Sequence, residues 1–272
     1  MLSRNSQRVF SNERLDPRLR AGLVGHWIGG GSGNTWVDRS GYGRHGTLTN
    51  GPLWTLGEGG KRNAVEFDGS NDYVDFNNTS NPLLSATGDW TIAVWANTST
   101  IATGEAELFG QYIAAASNGR LLLRRSGSKW VLFLGNTATL GTVSVTGTTT
   151  IVVGQWYHVI ARRIGNTFTL YVNGNQDATN TDGSTRSIWQ GGSMLGLRTN
   201  VATAYNDLPH VDKFKGRLDD VRVYNRALSE AEISLLASPS FSPVTRRRTF
   251  LGKRSGAAPP PTTSGNFFLM FR

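Results

Sequence analysis

One stretch near the end of the chain, residues 216–226 with the sequence GRLDDVRVYNR, most restricts the fold that this chain can adopt. In its second half polar and apolar residues alternate, as they do in a strand with one buried face. Asp219 and Asp220 stand side by side in it, although strands disfavour aspartate and a carboxylate resists burial without a partner. Ser229 and Glu232 then form a capping box, so a short helix begins directly behind the strand. The stretch predicts the closing strand of a β-sandwich, with carboxylates that hold something in place.

Short alternating segments separated by turn residues continue through the rest of the chain. Glycine occurs 33 times among 272 residues, tryptophan occurs eight times, cysteine is absent, and hardly any helix-period pattern is present. Two hairpins are predicted, one joining residues 119–125 to 129–135 and the other joining residues 156–161 to 168–172. Residues 173 and 174, an Asn-Gly pair, predict a third turn. The composition is typical of an all-β protein with many turns.

Seven motifs of the chain stand in the order found in one known family. They are GLVGHW, DRSGYGRHGTL, FDGSNDYVDF, WTIAVWAN, GQWYHVIARR, FTLYVNGN and GRLDDVRVYNRALSEAEI, and they are spread over residues 21–237. The chain therefore resembles the laminin-G-like domains of the concanavalin A-like lectin/glucanase superfamily, which are related in architecture to pentraxins. The resemblance implies a two-sheet antiparallel jelly-roll sandwich with a short C-terminal helix.

The net charge of +9 belongs to the two ends of the chain. Residues 1–20 carry +3 and residues 239–272 carry +6, so the residues between them are neutral overall. Three parts are predicted: a basic N-terminal arm (1–20), a jelly-roll domain (21–238) and a Pro-rich basic C-terminal arm with an apolar end (239–272). Two interpretations of the extended arms stay open. They are either solvated disordered tails or tethers to an acidic surface, another subunit or a polyanion.

Six residues of the C-terminal arm are predicted to bind a partner. Three form a basic run and three belong to an apolar end, namely Arg246, Arg247, Arg248, Phe267, Phe268 and Phe271. An apolar free end is an aggregation hazard unless it docks, either on a partner as an added strand or back on its own domain. We expect both arms to bind other protein subunits of a larger assembly, and we expect the chain to form a homo-oligomer.

Catalytic motifs are missing from the sequence. The superfamily that the chain resembles includes the jelly-roll glucanases. These enzymes use paired acids on one strand, in a Glu-x-Asp-x-x-Glu pattern. The nearest sequence here, Glu105-Ala-Glu107, is interpreted as a strand-edge loop. The four histidines have no metal spacing, and His158 is predicted to be a packed strand residue. Because no G-x-S-x-G, P-loop or Rossmann motif occurs either, we predict no catalytic residues and no enzyme activity.

Calcium is the one cofactor that the sequence suggests. A hard cation prefers several oxygen ligands, and Asp68 and Asp72 in one turn together with Asp219 and Asp220 offer them. The resemblance implies that the two segments lie near each other and that related domains often hold Ca²⁺. In the alternative, Asp68 and Asp72 cap their turn, and Asp219 or Asp220 accepts hydrogen bonds from the backbone or from an arginine.

Aromatic residues in the loops are the candidates for ligand binding. Trp130, Trp189 and Tyr205 are predicted to contact a glycan, whereas the tryptophans at positions 27, 90, 95 and 156 are assigned to core or sheet packing. The arm arginines lack interleaved aromatics, so no nucleic-acid partner is predicted. No stretch approaches the roughly 20 apolar residues of a membrane span. The first 20 residues lack the apolar region of a signal peptide.

These observations favour a non-enzymatic structural or adhesion module. The leading hypothesis places it on a virion made in the host cytoplasm, as a phage capsid decoration or fibre-like protein. There the arms anchor the module and the jelly roll displays a glycan- or surface-binding face. The alternative is a soluble or secreted extracellular lectin, with or without dependence on calcium. A glycosidase ranks last, because paired acids are missing.

Overall fold

A computed structural model of the chain describes residues 16–29, 33–60, 63–76, 82–85, 87–101, 104–112, 120–135, 141–184, 192–196 and 212–238. Within these residues it contains sixteen β-strands, one α-helix and two 3-10 helices, Pro17–Leu19 and Glu58–Gly60. The strands and the helix are β1 (Leu23–Trp27), β2 (Thr35–Trp36), β3 (Gly46–Thr49), β4 (Leu53–Leu56), β5 (Asn63–Asp68), β6 (Tyr73–Asp75), β7 (Trp90–Thr98), β8 (Glu105–Tyr112), β9 (Arg120–Ser126), β10 (Lys129–Gly135), β11 (Thr142–Thr146), β12 (Trp156–Ile164), β13 (Thr167–Val172), β14 (Asn175–Thr181), β15 (Gly192–Leu195), β16 (Lys215–Tyr224) and α1 (Glu230–Ala237).

The strands form two antiparallel sheets that pack face to face. Sheet A has the order β14-β13-β12-β7-β16-β5-β4, and β1 also pairs with β16. Sheet B has the order β11-β10-β9-β8-β15-β6-β3-β2. This arrangement confirms the predicted all-β, two-sheet antiparallel jelly-roll sandwich with a short C-terminal helix. The predicted turns between β9 and β10, between β12 and β13, and between β13 and β14 are also present.

The main core lies between the two sheets. On β7 the alternate residues Trp90, Ile92, Val94 and Ala96 face it, as the sequence pattern predicts. Aromatic side chains from both sheets fill the same cluster: Trp27, Trp36, Phe67, Phe109, Trp130 and Phe168. Each large apolar side chain that is fully buried contributes about 1.5–3 kcal/mol to folding, so this cluster is the principal source of stability.

The helix α1 covers part of the outer face of sheet A. Its capping box of Ser229 and Glu232 forms as predicted. Ile233 of the helix packs in one cluster with Tyr171 and Tyr224 of the strands, and Leu19 belongs to the same cluster. The packed part of the chain therefore includes residues 16–20, which the sequence prediction assigns to the arm. The predictions for residues 1–15 and 239–272 lie outside the described residues.

Strand β16 lies in the middle of sheet A and is buried on both faces. It pairs with β7 on one side, and with β5 and then β1 on the other. Residues 218–224 are all buried, so the prediction of a half-buried strand is wrong. The outer face is covered as well, because Tyr224 packs in the cluster of α1 while Asp220 and Arg222 contact each other. No helix in the described ranges has the length and apolar character to cross a membrane.

Candidate functional site

A β-bulge interrupts β16 where the two aspartates stand. Its register with β7 shifts between Asp219 and Arg222, and Asp220 has a φ of 45°. The backbone N–H of Asp220 donates to the carboxylate of Asp219 over 2.7 Å. Aspartate tolerates this left-handed conformation better than most residues do, which explains its presence in a strand.

The carboxylate of Asp220 binds two buried side chains. Arg222 donates to it from Nε over 2.7 Å and from Nη2 over 2.8 Å, and the Nε2 of His26 lies 3.0 Å from Oδ1. Burial raises the pKa of Asp220, but the charge of Arg222 and the hydrogen bonds from His26 and Arg222 outweigh it. The net result is a pKa well below the ordinary value. Asp220 is therefore ionised, and its charge is balanced by Arg222.

His26 joins this ion pair to a loop beside β1. Burial, followed by the charge of Arg222, lowers the pKa of His26, so its ring is neutral at pH 7. Because the Asp220 carboxylate can only accept, the ring proton of His26 is on Nε2. The backbone N–H of His26 donates to Oδ1 of Asp38 over 3.0 Å. One residue thus contacts Asp220 through its side chain and Asp38 through its main chain.

The carboxylate of Asp38 organises residues 38–45, which we call the Tyr42 loop. Oδ1 accepts the N–H groups of His26 at 3.0 Å and of Ser40 at 2.8 Å. Oδ2 accepts the hydroxyl of Ser40 at 2.7 Å and the N–H of Arg44 at 3.0 Å. An ionised carboxylate has about four acceptor positions, so this buried side chain is saturated.

Three further hydrogen bonds fix the C-terminal part of the Tyr42 loop. The N–H of Asp38 donates to Nδ1 of His45 over 3.1 Å. Nη1 of Arg44 donates to the carbonyl of Val24 over 2.7 Å, and Nε1 of Trp27 donates to the carbonyl of Arg44 over 2.8 Å. Since Val24 and Trp27 belong to β1, the loop is attached directly to sheet A.

Tyr42 stands at the exposed tip of this loop. Its side chain is 61% exposed, and it is the one aromatic among the large apolar side chains that are exposed in the described part of the chain. Gly41 and Gly43 flank it with φ values of 99° and 69°, conformations that favour glycine. The guanidinium carbon of Arg44 lies 5.0 Å from the ring centroid, within cation–π range. The loop therefore presents an exposed aromatic ring in a fixed position beside a cation.

The predicted glycan-contacting residues do not form this site. Trp130 is fully buried, with its ring centroid 5.9 Å from that of Tyr157 in the core. The prediction for Trp130 is wrong because the alternation of β10 places it on the inner face together with Leu132. Trp189 and Tyr205 lie outside the described residues. Tyr42 was not predicted, although an aromatic between two glycines in a turn-dense loop is visible in the sequence.

Two tryptophans assigned to packing are only half-buried. Trp95 of β7 and Trp156 of β12 lie on the outer face of sheet A, because the alternate residues of both strands face the core. His158 pairs with Trp95 across the strands and stacks on its ring, with a centroid distance of 4.9 Å. The prediction that His158 is a packed strand residue is confirmed.

The four aspartates predicted to bind calcium do not form one group. Asp68 pairs with Lys215 at the start of β16. The two segments therefore lie near each other, as the resemblance implies, but Asp219 is four residues further along β16, a distance of roughly 13 Å in a strand, so it does not join Asp68 in one group. Asp72 accepts the N–H of Asp68 over 2.9 Å, and Asp220 is bound by an arginine, as the alternative interpretation states. In the described ranges no group of three or more His, Cys, Asp or Glu residues is arranged to hold a metal ion.

Glu105 and Glu107 belong to β8, which corrects their interpretation as a strand-edge loop. Being two residues apart, they face the same side of the strand. Glu105 forms an ion pair with Arg124 of β9. Glu107 is fully buried. A substrate has no access to a carboxylate without exposed surface, so this pair lacks the access that a glycosidase needs.

The fold defines a jelly-roll β-sandwich of the lectin type. A family model of laminin-G type, described as the concanavalin A-like lectin/glucanases superfamily, matches residues 68–234. This match covers more than half of the chain, and the chain therefore belongs to this superfamily. The comparison with curated protein sequences gives no match.

Solved structures with the same architecture include carbohydrate-processing and toxin proteins. Domain 4 of an extracellular arabinanase from Geobacillus stearothermophilus, solved with arabinotriose, has a TM-score of 0.59 and 21% identity. That alignment covers 80% of this chain and 99% of the arabinanase domain. The binding domain of Paraclostridial Mosquitocidal Protein 1 has a TM-score of 0.59 and 19% identity over 80% of this chain and 52% of that one. The receptor binding domain of botulinum neurotoxin D has a TM-score of 0.60 and 14% identity over 80% and 53%. At these identities the likeness shows the fold alone.

Proposed function

We propose that this chain is a non-enzymatic carbohydrate-recognition module whose ligand contacts the Tyr42 loop. The observation that carries the proposal is the 61% exposed ring of Tyr42 on a loop fixed by the four hydrogen bonds of Asp38. A flat aromatic ring packs against the apolar face of a sugar, while neighbouring polar groups bond its hydroxyls. Because the loop is already ordered, little conformational entropy is lost on binding.

Two further observations support recognition rather than catalysis. The superfamily includes lectins, and the arabinanase domain of the same fold was solved with an oligosaccharide. The acids that come closest to a glycosidase pair are engaged or inaccessible, since Glu105 pairs with Arg124 and Glu107 is fully buried. A glycosidase needs a carboxylate that reaches the scissile bond.

A glycan array probed with the full chain tests this proposal. Tyr42→Ala should abolish the binding of every glycan that the unchanged chain retains, because the ring supplies the main contact area. Ile164→Ala is the matched control, since Ile164 is also exposed, at 48%, but lies on the hairpin between β12 and β13. Binding that survives Tyr42→Ala, or that both variants reduce equally, rejects the Tyr42 loop as the site.

The charge distribution favours a second role in anchoring. The jelly-roll domain is neutral, while residues 1–20 and 239–272 carry all of the net charge. We infer that the two arms bind other subunits of a larger particle, with a virion as the leading candidate and an extracellular lectin as the alternative. Variants lacking residues 1–15 or 239–272 should fail to enter particles purified from producing cells. Normal incorporation of both variants contradicts the anchoring role.

A further inference from the structure

We propose that residues 239–243, the first part of the C-terminal arm, dock on the outer face of sheet A where Trp95 and Trp156 are half-buried. We call the surface formed by these two rings the tryptophan face. Such a contact of the chain with itself goes beyond the proposed function, which concerns a glycan and other subunits.

The two tryptophans lie side by side on one surface of the sheet. Trp156 of β12 pairs with Asn97 of β7, and His158 of β12 pairs with Trp95 of β7. The two rings therefore stand in diagonal positions on neighbouring strands, a separation that aromatic side chains can bridge. His158 stacks on Trp95 with a centroid distance of 4.9 Å and supports that ring from one side. The tryptophan face is thus an aromatic surface held by two paired strands and partly exposed to solvent.

The helix α1 ends beside the tryptophan face. A Cβ on Gly174, in the turn after β13, would lie 3.0 Å from the Cβ of Ala237, the last residue of the helix. The N–H of Asn173 in the same turn donates to the carbonyl of His158 over 2.8 Å. The turn is therefore opposite the start of β12, one strand spacing of roughly 5 Å from it. The chain leaves the helix next to the strand end that carries Trp156.

The sequence behind α1 has the pattern of an extended segment with one apolar side. From Ser238 onward it reads Ser-Pro-Ser-Phe-Ser-Pro, so Pro239, Phe241 and Pro243 alternate with serines. Ser238 itself is extended, with a φ of −72° and a ψ of 132°. A residue before a proline is restricted to extended conformations, which applies to Ser238 and Ser242 alike. Period-two alternation in an extended segment predicts that its apolar side is covered.

The length and the chemistry of the segment suit the tryptophan face. Phe241 is three residues beyond Ser238, a reach of at most roughly 10 Å, which is enough to cross one strand spacing to Trp156. Residues 238–245 carry no charge, and the basic run begins at Arg246. Proline-rich segments pack on aromatic-lined surfaces in many peptide-binding domains. A segment laid across a sheet face forms no ladder, so its prolines lose no hydrogen bond by lacking an N–H.

The N-terminal arm already begins on the same side of the domain. Leu19 packs in one cluster with Ile233 of α1 and Tyr171 of β13, on the outer face of sheet A. With residues 239–243 docked beside this cluster, both arms leave the module from that face. The anchoring role proposed above then places a larger particle on the side of sheet A.

A fluorescent label in the full chain tests the contact. Because the chain has no cysteine, Pro243→Cys provides a single site for a bimane label, whose emission a tryptophan quenches on contact. We expect the label to be quenched, and Trp156→Phe should restore most of its emission. Trp54→Phe is the matched control, since Trp54 is also half-buried but lies on β4 and packs against the main core. A label on Ser255→Cys, further along the same arm, should respond to neither change.

A second pair of variants changes the arm and leaves the tryptophans in place. Phe241→Ser should relieve the quenching and lower the melting temperature of the unlabelled chain by about 2–4 °C, as the loss of one apolar contact does at this chain length. Val244→Ser should leave both measurements unchanged, because position 244 falls on the other side of the alternating pattern.

Two results overturn the inference. Emission from the label at position 243 that is the same with and without Trp156 shows that the segment does not meet the tryptophan face. Quenching that disappears as the labelled chain is diluted assigns the contact to a second copy instead of to the same chain. Neither result bears on glycan binding or on entry into particles, so the proposed function stands or fails by its own tests.

Discussion

The imidazole Nε2 of His26 lies 3.0 Å from Oδ1 of Asp220, and this contact joins the bulge of β16 to the loop that presents Tyr42. The backbone N–H of His26 also donates a hydrogen bond to Asp38, whose carboxylate determines the conformation of that loop. The aspartates of the last strand therefore act on the candidate binding surface without touching a ligand.

Stability should decrease in mild acid because of His26. Burial lowers the pKa of His26 in the folded chain, whereas the unfolded chain keeps the ordinary value of 6.5. As the pH falls below 6.5, His26 binds a proton in the unfolded chain but stays neutral in the folded chain. The free energy of unfolding therefore falls by up to about 1.4 kcal/mol per pH unit. Urea unfolding from about pH 8 to pH 5 should show a shallower slope for His26→Gln. Parallel profiles for the two proteins contradict this role.

Asp220→Asn should destabilise the protein by about 3 kcal/mol or more, because it leaves the buried charge of Arg222 unpaired. Asparagine accepts the φ of 45°, so the backbone of the bulge is not strained by the change. Equilibrium unfolding in urea measures the loss. In the double variant Asp220→Asn with Arg222→Leu, which removes the unpaired charge, more than half of the loss should be recovered. A double variant less stable than the single one would falsify this account.

Asp38→Asn should cost about 1–3 kcal/mol, because an amide places N–H groups where donors already point. Either the two donors at Oδ1, the N–H groups of His26 and Ser40, or the two donors at Oδ2, the Ser40 hydroxyl and the Arg44 N–H, then lose their acceptor. The same change should weaken glycan binding, since Tyr42 is no longer held in place. Ser40→Ala is the comparison, and it should cost less because it removes only the two bonds of the hydroxyl, to Asp38 and from the N–H of Tyr42, and leaves the Asp38 carboxylate in place. Thermal unfolding and the glycan array measure the two effects, and a stable variant with full binding contradicts them.

Gly216→Ala should prevent stable folding, whereas Gly104→Ala should be tolerated with a smaller loss. Both glycines have positive φ values, 148° and 109°. A Cβ at Gly216 would lie 2.2 Å from the carbonyl oxygen of Asn97, while a Cβ at Gly104 meets nothing within 4 Å. The pair therefore separates a backbone clash from conformational strain. Soluble expression and melting temperature are the measurements, and equal stability of the two variants contradicts the steric explanation.

Calcium binding stays a prediction, now restricted to the turn of Asp68 and Asp72. A bound ion would raise the melting temperature by mass action, and a chelator would lower it again. Elemental analysis of the purified chain should find calcium, and Asp72→Asn should reduce its content. Calcium-free protein with a melting temperature unchanged by calcium or chelator rejects the site.

The sequence by itself determined the local structure. The period-two pattern of residues 90–96 located β7, the Asn-Gly pair at 173 and 174 located a hairpin, and Ser229 with Glu232 located the start of α1. Each of these signals depends on neighbouring residues and on backbone preferences that are independent of the rest of the chain. The order of the motifs was sufficient for the family and the two-sheet sandwich.

Only the tertiary structure decided which faces and partners these elements have. Alternation gives a strand two faces but does not say that Trp130 faces the core, or that β16 is covered on both sides. The side chain of Asp220 contacts that of His26, which is 194 residues away in the sequence, because β1 pairs with β16. No local sequence pattern encodes this long-range contact. Tyr42 is exposed because Asp38 fixes the loop beneath it. Strand pairing and burial depend on the whole chain, and they therefore determine which residues form the candidate site.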